Sequence, residues 1–141
     1  MPRIVAIDYG AKRCGLAETD DLKLIASGHS TVHPSELLPF FKDYSSRHEL
    51  EAIVVGLPLR MSGDPSAIEP QIAAFISKFA KAYPEIPVHR VDERFTSKMA
   101  LASMIEAGAR KKQRRNKEQV DKISATLILQ QFLEQERNKH T

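Results

Sequence analysis

The sequence lacks the features that define several large classes of protein. Among its 141 residues it has one cysteine and no tryptophan. A lone Cys14 excludes an intrachain disulfide and a cysteine-based zinc cluster. No apolar run approaches the roughly 18 residues of a membrane span. The N-terminal segment shows no secretory leader, so we expect a cytoplasmic protein without a membrane partner.

Positive charge is in slight excess, and it is distributed unevenly along the chain. The net charge is +3, yet residues 110–117, RKKQRRNK, place six cations in eight positions. Such a run is either a solvated loop or a contact for the phosphates of a nucleic acid. Its position between two predicted helices favours phosphate contact through Arg110, Lys111, Lys112, Arg114 and Arg115.

Hydrophobic periodicity predicts one α/β domain over residues 1–137 with a short tail at 138–141. The order of elements is βββαβαβαα, which implies a mixed five-stranded sheet whose first three strands form antiparallel hairpins. The predicted strands cover residues 3–8, 14–19, 22–32, 51–58 and 87–93. One predicted helix follows Pro34, and three more cover residues 68–79, 96–108 and 117–136.

The stretch IVAIDYGAKR ends a buried strand with a carboxylate, Asp8. A charge in this position is costly unless it is paired or bound to a metal. The alternative is a turn aspartate paired with Lys12 or Arg13.

A second acid, Asp121, lies in helical phase with Ala125, Ile128 and Phe132, on the apolar face of the last helix. Interaction with the helix dipole is the alternative explanation, although it does not account for an inward orientation.

A third acid stands in VDERFTS, where a strand leads into a helix. Glu93 and Asp92 lie on opposite faces of this strand, and either could form an ion pair with Arg94 or Arg90. If the last helix crosses the sheet, the three acids converge. Clustered carboxylates resist joint ionisation without a cation, and all-oxygen ligands select Mg²⁺ or Mn²⁺. Two such ions can promote phosphodiester hydrolysis.

Four segments carry a family resemblance: DYGAKRCGLA, VVGLPLRMSGD, VDERFTS and VDKISATLILQQFL, in this order. They resemble the YqgF/RuvX family of Holliday-junction-resolvase-like nucleases. The resemblance spans roughly residues 3 to 134. It implies an RNase H-like, three-layer α/β/α fold and processing of the 5′ end of pre-16S ribosomal RNA.

Carried over by residue, the resemblance implies a catalytic and metal-binding triad of Asp8, Glu93 and Asp121, with two Mg²⁺ or Mn²⁺ ions. It implies phosphate contacts from Lys12, Arg13, Arg94, Thr96 and Ser97, and structural loop positions at Gly10, Gly15, Gly56, Pro58 and Gly63. In better-known resolvases a second acid ends the strand that here ends in Gly56-Leu57-Pro58. That role then passes to Glu93, with Asp92 and Asp64 as alternatives.

Three other functions stay open at this point. The chain could resolve four-way DNA junctions, which requires a symmetric homodimer rather than a monomer. It could bind nucleic acid without cutting it. A phosphotransferase of the actin or sugar-kinase kind also has an Asp-x-Gly turn, but 141 residues leave no room for a second lobe. Because aromatics make up only 6% of the chain, we expect base stacking to contribute little to recognition.

Overall fold

The computed structural model describes residues 2–20, 26–59, 62–64, 66–93 and 117–139. Within them lie five strands, three α-helices and one short 3₁₀ turn. The strands are β1 (Arg3–Tyr9), β2 (Cys14–Thr19), β3 (Ala26–Val32), β4 (Leu50–Leu57) and β5 (Val88–Asp92). The helices are α1 (Leu37–Arg47, after the 3₁₀ turn Pro34–Glu36), α2 (Glu69–Ala82) and α3 (Lys117–Lys139).

The predicted order of elements is confirmed over the described residues. β3 is described from Ala26 onward, and the earlier part of the predicted strand lies outside the described residues. The predicted helix at 96–108 also lies outside them, as does most of the basic run. The helix α3 continues to Lys139, beyond the predicted end near residue 136.

The sheet has the strand order β3-β2-β1-β4-β5. β1, β2 and β3 pair antiparallel, whereas β1, β4 and β5 run parallel. The mixed sheet with an antiparallel meander is therefore as predicted. The three parallel strands end at the same edge, which is where ligands bind in open α/β sheets.

Alternation along the central strands divides the core into two layers. On one face Val5 and Ile7 pack with α1 and α2, around the fully buried Phe41 and Phe79. On the other face Ile4, Ala6 and Val54 pack against α3, together with Ala125, Ile128 and Phe132 of that helix. The predicted apolar stripe of the last helix is confirmed. No helix in the described part of the chain is long and apolar enough to cross a membrane.

The helix α3 lies so close to the sheet that one strand position beneath it has no room for a side chain. A Cβ added at Gly15 of β2 would overlap the backbone carbonyl of Asp121. Gly28 of β3 also lies under α3, but its nearest neighbour, Lys122 Cβ, is 3.4 Å from an added Cβ. Gly15 therefore fixes the distance between α3 and the sheet.

Replacing Gly15 with alanine should destabilise the protein by about 1–3 kcal/mol, the usual cost of overpacking a site whose neighbour is backbone. Gly28→Ala is the matched control and should leave the free energy of unfolding nearly unchanged. Urea unfolding of both variants measures the difference. Equal stability of the two variants would show that α3 is not held at this distance by Gly15.

Candidate active site

Two carboxylates meet at the edge where the parallel strands end. Asp8 is the next-to-last residue of β1, in phase with Ile4 and Ala6, so its side chain lies on the α3 face. Glu93 directly follows β5, and its N–H donates to the Leu57 carbonyl of β4 at 3.1 Å. The topology thus brings together two acids that are 85 positions apart in the sequence (93 − 8).

The carboxyl groups of Asp8 and Glu93 are hydrogen bonded to each other, and both titrate far above their usual range. Burial and the charge of Asp121 raise the pKa of Asp8 and the hydrogen bond with Glu93 lowers it, so that the resulting pKa is about 7. Burial and the charge of Asp8 raise the pKa of Glu93 to about 8. Near neutral pH the pair therefore holds a proton that a divalent cation could replace.

Gly56 provides the space in which the Glu93 carboxylate lies. A Cβ at Gly56 would overlap Glu93 Oε2 and would lie 2.9 Å from Ile128 Cδ1. Position 56, next to the last residue of β4, is therefore a glycine for a steric reason. A side chain there would exclude Glu93 from the site.

The third predicted acid, Asp121, lies in the first turns of α3 and is paired with a cation. Arg13 Nε donates to Asp121 Oδ2 at 3.0 Å, with both side chains partly exposed. The Arg13 side chain therefore pairs with Asp121 and not with Asp8, the alternative raised by the sequence. These two residues, with Gly10, Ala11 and Lys12, line an open groove of about 410 Å³.

The donor chemistry of these acids fits Mg²⁺ or Mn²⁺, because it consists entirely of carboxylate oxygens. Asp8 and Glu93 are in contact, and Asp121 is near enough to raise the pKa of Asp8. However, no three His, Cys, Asp or Glu side chains within the described ranges form a group that could hold a metal. The three carboxylates are of the right chemical type for a divalent metal and lie near one another, but the Asp121 carboxylate is paired with Arg13.

The remaining predicted positions fall into three groups. Asp92 ends β5 and by alternation lies on the face opposite Glu93, while Asp64 is exposed and accepts a hydrogen bond from Ser62. Gly63 has φ 94°, which requires glycine, and the Pro58 carbonyl accepts from the Ser66 N–H. Outside the described residues lie the predicted phosphate contacts Arg94, Thr96, Ser97, Arg110, Lys111, Lys112, Arg114 and Arg115.

Sequence reasoning missed an ion pair that supports the end of β4 from the other face of the sheet. The Arg90 guanidinium donates to both carboxylate oxygens of Glu69, at 2.9 and 3.2 Å. It also donates to the carbonyls of Val55 and Gly56, at 3.1 and 3.0 Å. Arg90 thereby ties α2 to the strand end under Glu93, and its charge lowers the pKa of Glu93. No local pattern links residues 69 and 90.

The class of fold follows from comparison with solved structures. A structure titled "T. thermophilus RuvC in complex with Holliday junction substrate" is similar, with a TM-score of 0.54 and 17% sequence identity. The match covers 91% of this chain and 92% of that one. The fold is RNase H-like, as the resemblance implied.

The family follows from the sequence itself. The family model described as "RuvX: Holliday junction resolvase" matches residues 2–135. A protein from Christiangramia forsetii, named "Putative pre-16S rRNA nuclease", is 54% identical over 94% of this chain and 98% of its own length. One of the same name from Bacteroides thetaiotaomicron is 50% identical over 97% of this chain and 99% of its own. This chain belongs to the RuvX family.

The titration of Asp8 and Glu93 predicts how stability depends on pH without divalent ions. Their folded-state pKa values, about 7 and about 8, exceed the ordinary values of 3.8 and 4.5 for these side chains. Between about pH 4 and 8 the folded protein holds protons that the unfolded chain has released, so stability falls as the pH rises through this window. Asp8→Asn should flatten this fall and raise the melting temperature at pH 8.

Thermal unfolding in EDTA from pH 5 to 8 checks this prediction. Asp64→Asn is the control, because that exposed carboxylate lies outside the pair, and it should keep the wild-type slope. An Asp8→Asn protein that loses stability with pH as steeply as wild type would contradict the coupling of Asp8 and Glu93.

The position of Arg90 predicts a further effect on Glu93. Arg90→Met removes a cation that lowers the pKa of Glu93, so that pKa should rise, as measured by NMR on protein with ¹³C-labelled glutamate. Arg3→Met is the matched control, because Arg3 forms a comparably buried ion pair with Glu18 at the other end of β1. An equal Glu93 pKa in both variants would show that Arg90 does not act on the site.

Proposed function

We propose that this protein is a divalent-metal-dependent nuclease that hydrolyses phosphodiester bonds in precursor ribosomal RNA, at the 5′ end of pre-16S rRNA. The observation that carries the proposal is the hydrogen-bonded pair of Asp8 and Glu93, with Asp121 nearby, at the end of the parallel strands. Family membership and the name shared by relatives about half identical in sequence support it.

The acids Asp8, Glu93 and Asp121 would hold Mg²⁺ or Mn²⁺, with two ions as the expected number. When bound, such ions activate a water for attack on phosphorus and stabilise the leaving oxygen. Asp8 and Glu93 would supply desolvated negative charge to the ions. Their raised pKa values show that this charge is unfavourable in the site without a cation beside it. Asp121 would join them by giving up its ion pair with Arg13.

Phosphates of the substrate would lie in the groove beside Asp121. Lys12 is exposed there, and Arg13 becomes available for a phosphate once Asp121 turns to a cation. We propose further phosphate contacts from Arg94, Thr96 and Ser97 and from the basic run at 110–117. Binding through these cations should weaken as salt rises.

A four-way DNA junction is the second candidate substrate. The specific observation in its favour is the RuvC-like fold, since the matched RuvC structure holds a Holliday junction. Cutting a junction symmetrically requires a homodimer, whereas RNA processing is compatible with a monomer. We favour RNA, in keeping with the names of the relatives. We also propose a single domain over residues 1–137 and a cytoplasmic location.

The test is cleavage of three labelled substrates: single-stranded RNA, a fragment spanning the pre-16S 5′ leader, and a four-way DNA junction. With Mg²⁺ or Mn²⁺ the wild-type protein should cut the leader fragment, and EDTA should abolish cutting. Asp8→Asn should reduce the rate to assay background, because it removes a charged ligand from the centre of the site. Asp64→Asn is the control and should retain activity.

The outcomes separate the candidate functions. Symmetric cutting of the junction in preference to RNA would replace the proposed substrate. Tight binding of nucleic acid without metal-dependent cutting of any substrate would overturn the nuclease proposal and leave a binding factor.

A further inference from the structure

A second cavity opens on the other face of the sheet, at the same strand end as the carboxylates. Tyr9 directly follows Asp8 in β1, and by alternation its ring lies on the α1 and α2 face. The cavity has a volume of about 340 Å³, and Tyr9 lies in its wall. The other lining residues come from the 3₁₀ turn, the start of α1 and α2: Pro34, Ser35, Leu38, Gln71, Ala74, Phe75 and Lys78.

The floor of this cavity is aromatic and fixed in place. The Tyr9 ring lies 6.0 Å from the ring of Phe75, which is buried in the core. Phe75 in turn packs on Phe41 and Phe79. Tyr9 is itself only partly buried, so it offers a positioned aromatic surface to the cavity.

The rim of the cavity offers polar groups of two kinds. Gln71 carries an amide, which can both donate and accept a hydrogen bond, and Lys78 carries a cation. Within the described part of the chain, no side-chain hydrogen bond or ion pair involves either residue. Ser35 differs, because its hydroxyl is hydrogen bonded to His33 Nδ1 at 2.9 Å.

We propose that this cavity binds one unpaired nucleobase of the substrate strand, stacked on Tyr9, with Gln71 at the base edge and Lys78 at a neighbouring phosphate. The proposal rests on the proposed function, because it assigns the strand a path around the sheet edge from Asp8 to Tyr9. A planar base with a hydrogen-bonding edge and an adjacent anion matches this combination of ring, amide and ammonium group. The proposal thus departs, for one base, from the expectation that stacking contributes little.

The binding site implies a preference for single-stranded nucleic acid. A base inside a duplex is stacked and paired, so it cannot enter a cavity beside the strand end without being unstacked first. A single-stranded leader or an unpaired junction has bases free to enter. The site therefore selects the local state of the strand next to the scissile bond, and Gln71 adds a modest preference among bases.

Binding in EDTA separates this proposal from the nuclease proposal. The probe is a short fluorescein-labelled single-stranded RNA, and its dissociation constant is measured by fluorescence anisotropy. Tyr9→Leu should weaken binding on the order of 5- to 150-fold, the range that one lost base–aromatic stack produces. Tyr9→Phe should bind like wild type. Phe40→Leu, a partly exposed aromatic outside the cavity, is the matched control and should also bind like wild type.

The same RNA with one abasic residue, moved along the strand, tests for the base itself. At one position the abasic change should weaken wild-type binding and leave Tyr9→Leu unaffected. If Tyr9→Leu lowers affinity equally at every abasic position, the ring contacts sugar or phosphate, and the nucleobase site is wrong.

A variant at the rim tests the site independently, in case Tyr9→Leu fails to fold. Lys78→Glu changes an exposed residue and should weaken RNA binding without lowering the melting temperature. Wild-type affinity in both Tyr9→Leu and Lys78→Glu would overturn the site. Base-dependent binding without metal-dependent cleavage would support the nucleobase site and overturn the nuclease proposal. Cleavage without base-dependent binding would support the nuclease proposal and overturn the nucleobase site.

Discussion

The site is organised around two carboxyl groups that the fold holds against each other at the end of the parallel strands. Asp8 and Glu93 share a partly buried site in which desolvation raises both pKa values, and the charge of Asp121 raises that of Asp8 as well. A protein keeps such an arrangement only if the fold forces it and another interaction offsets it. Here the topology of the sheet brings the two carboxyl groups together, and the charge of Arg90 offsets part of the cost by lowering the pKa of Glu93.

Two glycines make this arrangement possible, because neither has a side chain. Gly15 lets the backbone of α3 lie directly on β2, and Gly56 leaves the space that the Glu93 carboxylate fills. These two glycines are on strands that flank β1, one on each side of Asp8. The site is thus shaped by where the sheet has no side chains as much as by the acids themselves.

The spacing of apolar residues was enough to predict the order of strands and helices, the meander and the buried face of α3, because each of these depends on the local pattern of apolar residues. It also placed Asp8 in phase with Ile4 and Ala6, and Asp92 and Glu93 on opposite faces of their strand, since alternation along a strand has a fixed phase. The choice of Glu93 over Asp92 came from the family resemblance. Pairing between distant elements has no such local signal. The ion pairs of Arg13 with Asp121 and of Arg90 with Glu69 depend on tertiary distances, as does the exposure of the Tyr9 ring.

The acids of the site come from opposite ends of the chain. Asp8 is in the first strand and Asp121 in the last helix, which also covers one whole face of the sheet. A nascent chain on the ribosome therefore exposes that apolar face, and lacks the third proposed metal ligand, until the segment that forms α3 has been made. Under the proposed function, catalytic competence and protection of the sheet from aggregation arrive in the same step of synthesis, so we expect chains truncated before α3 to be both inert and prone to associate.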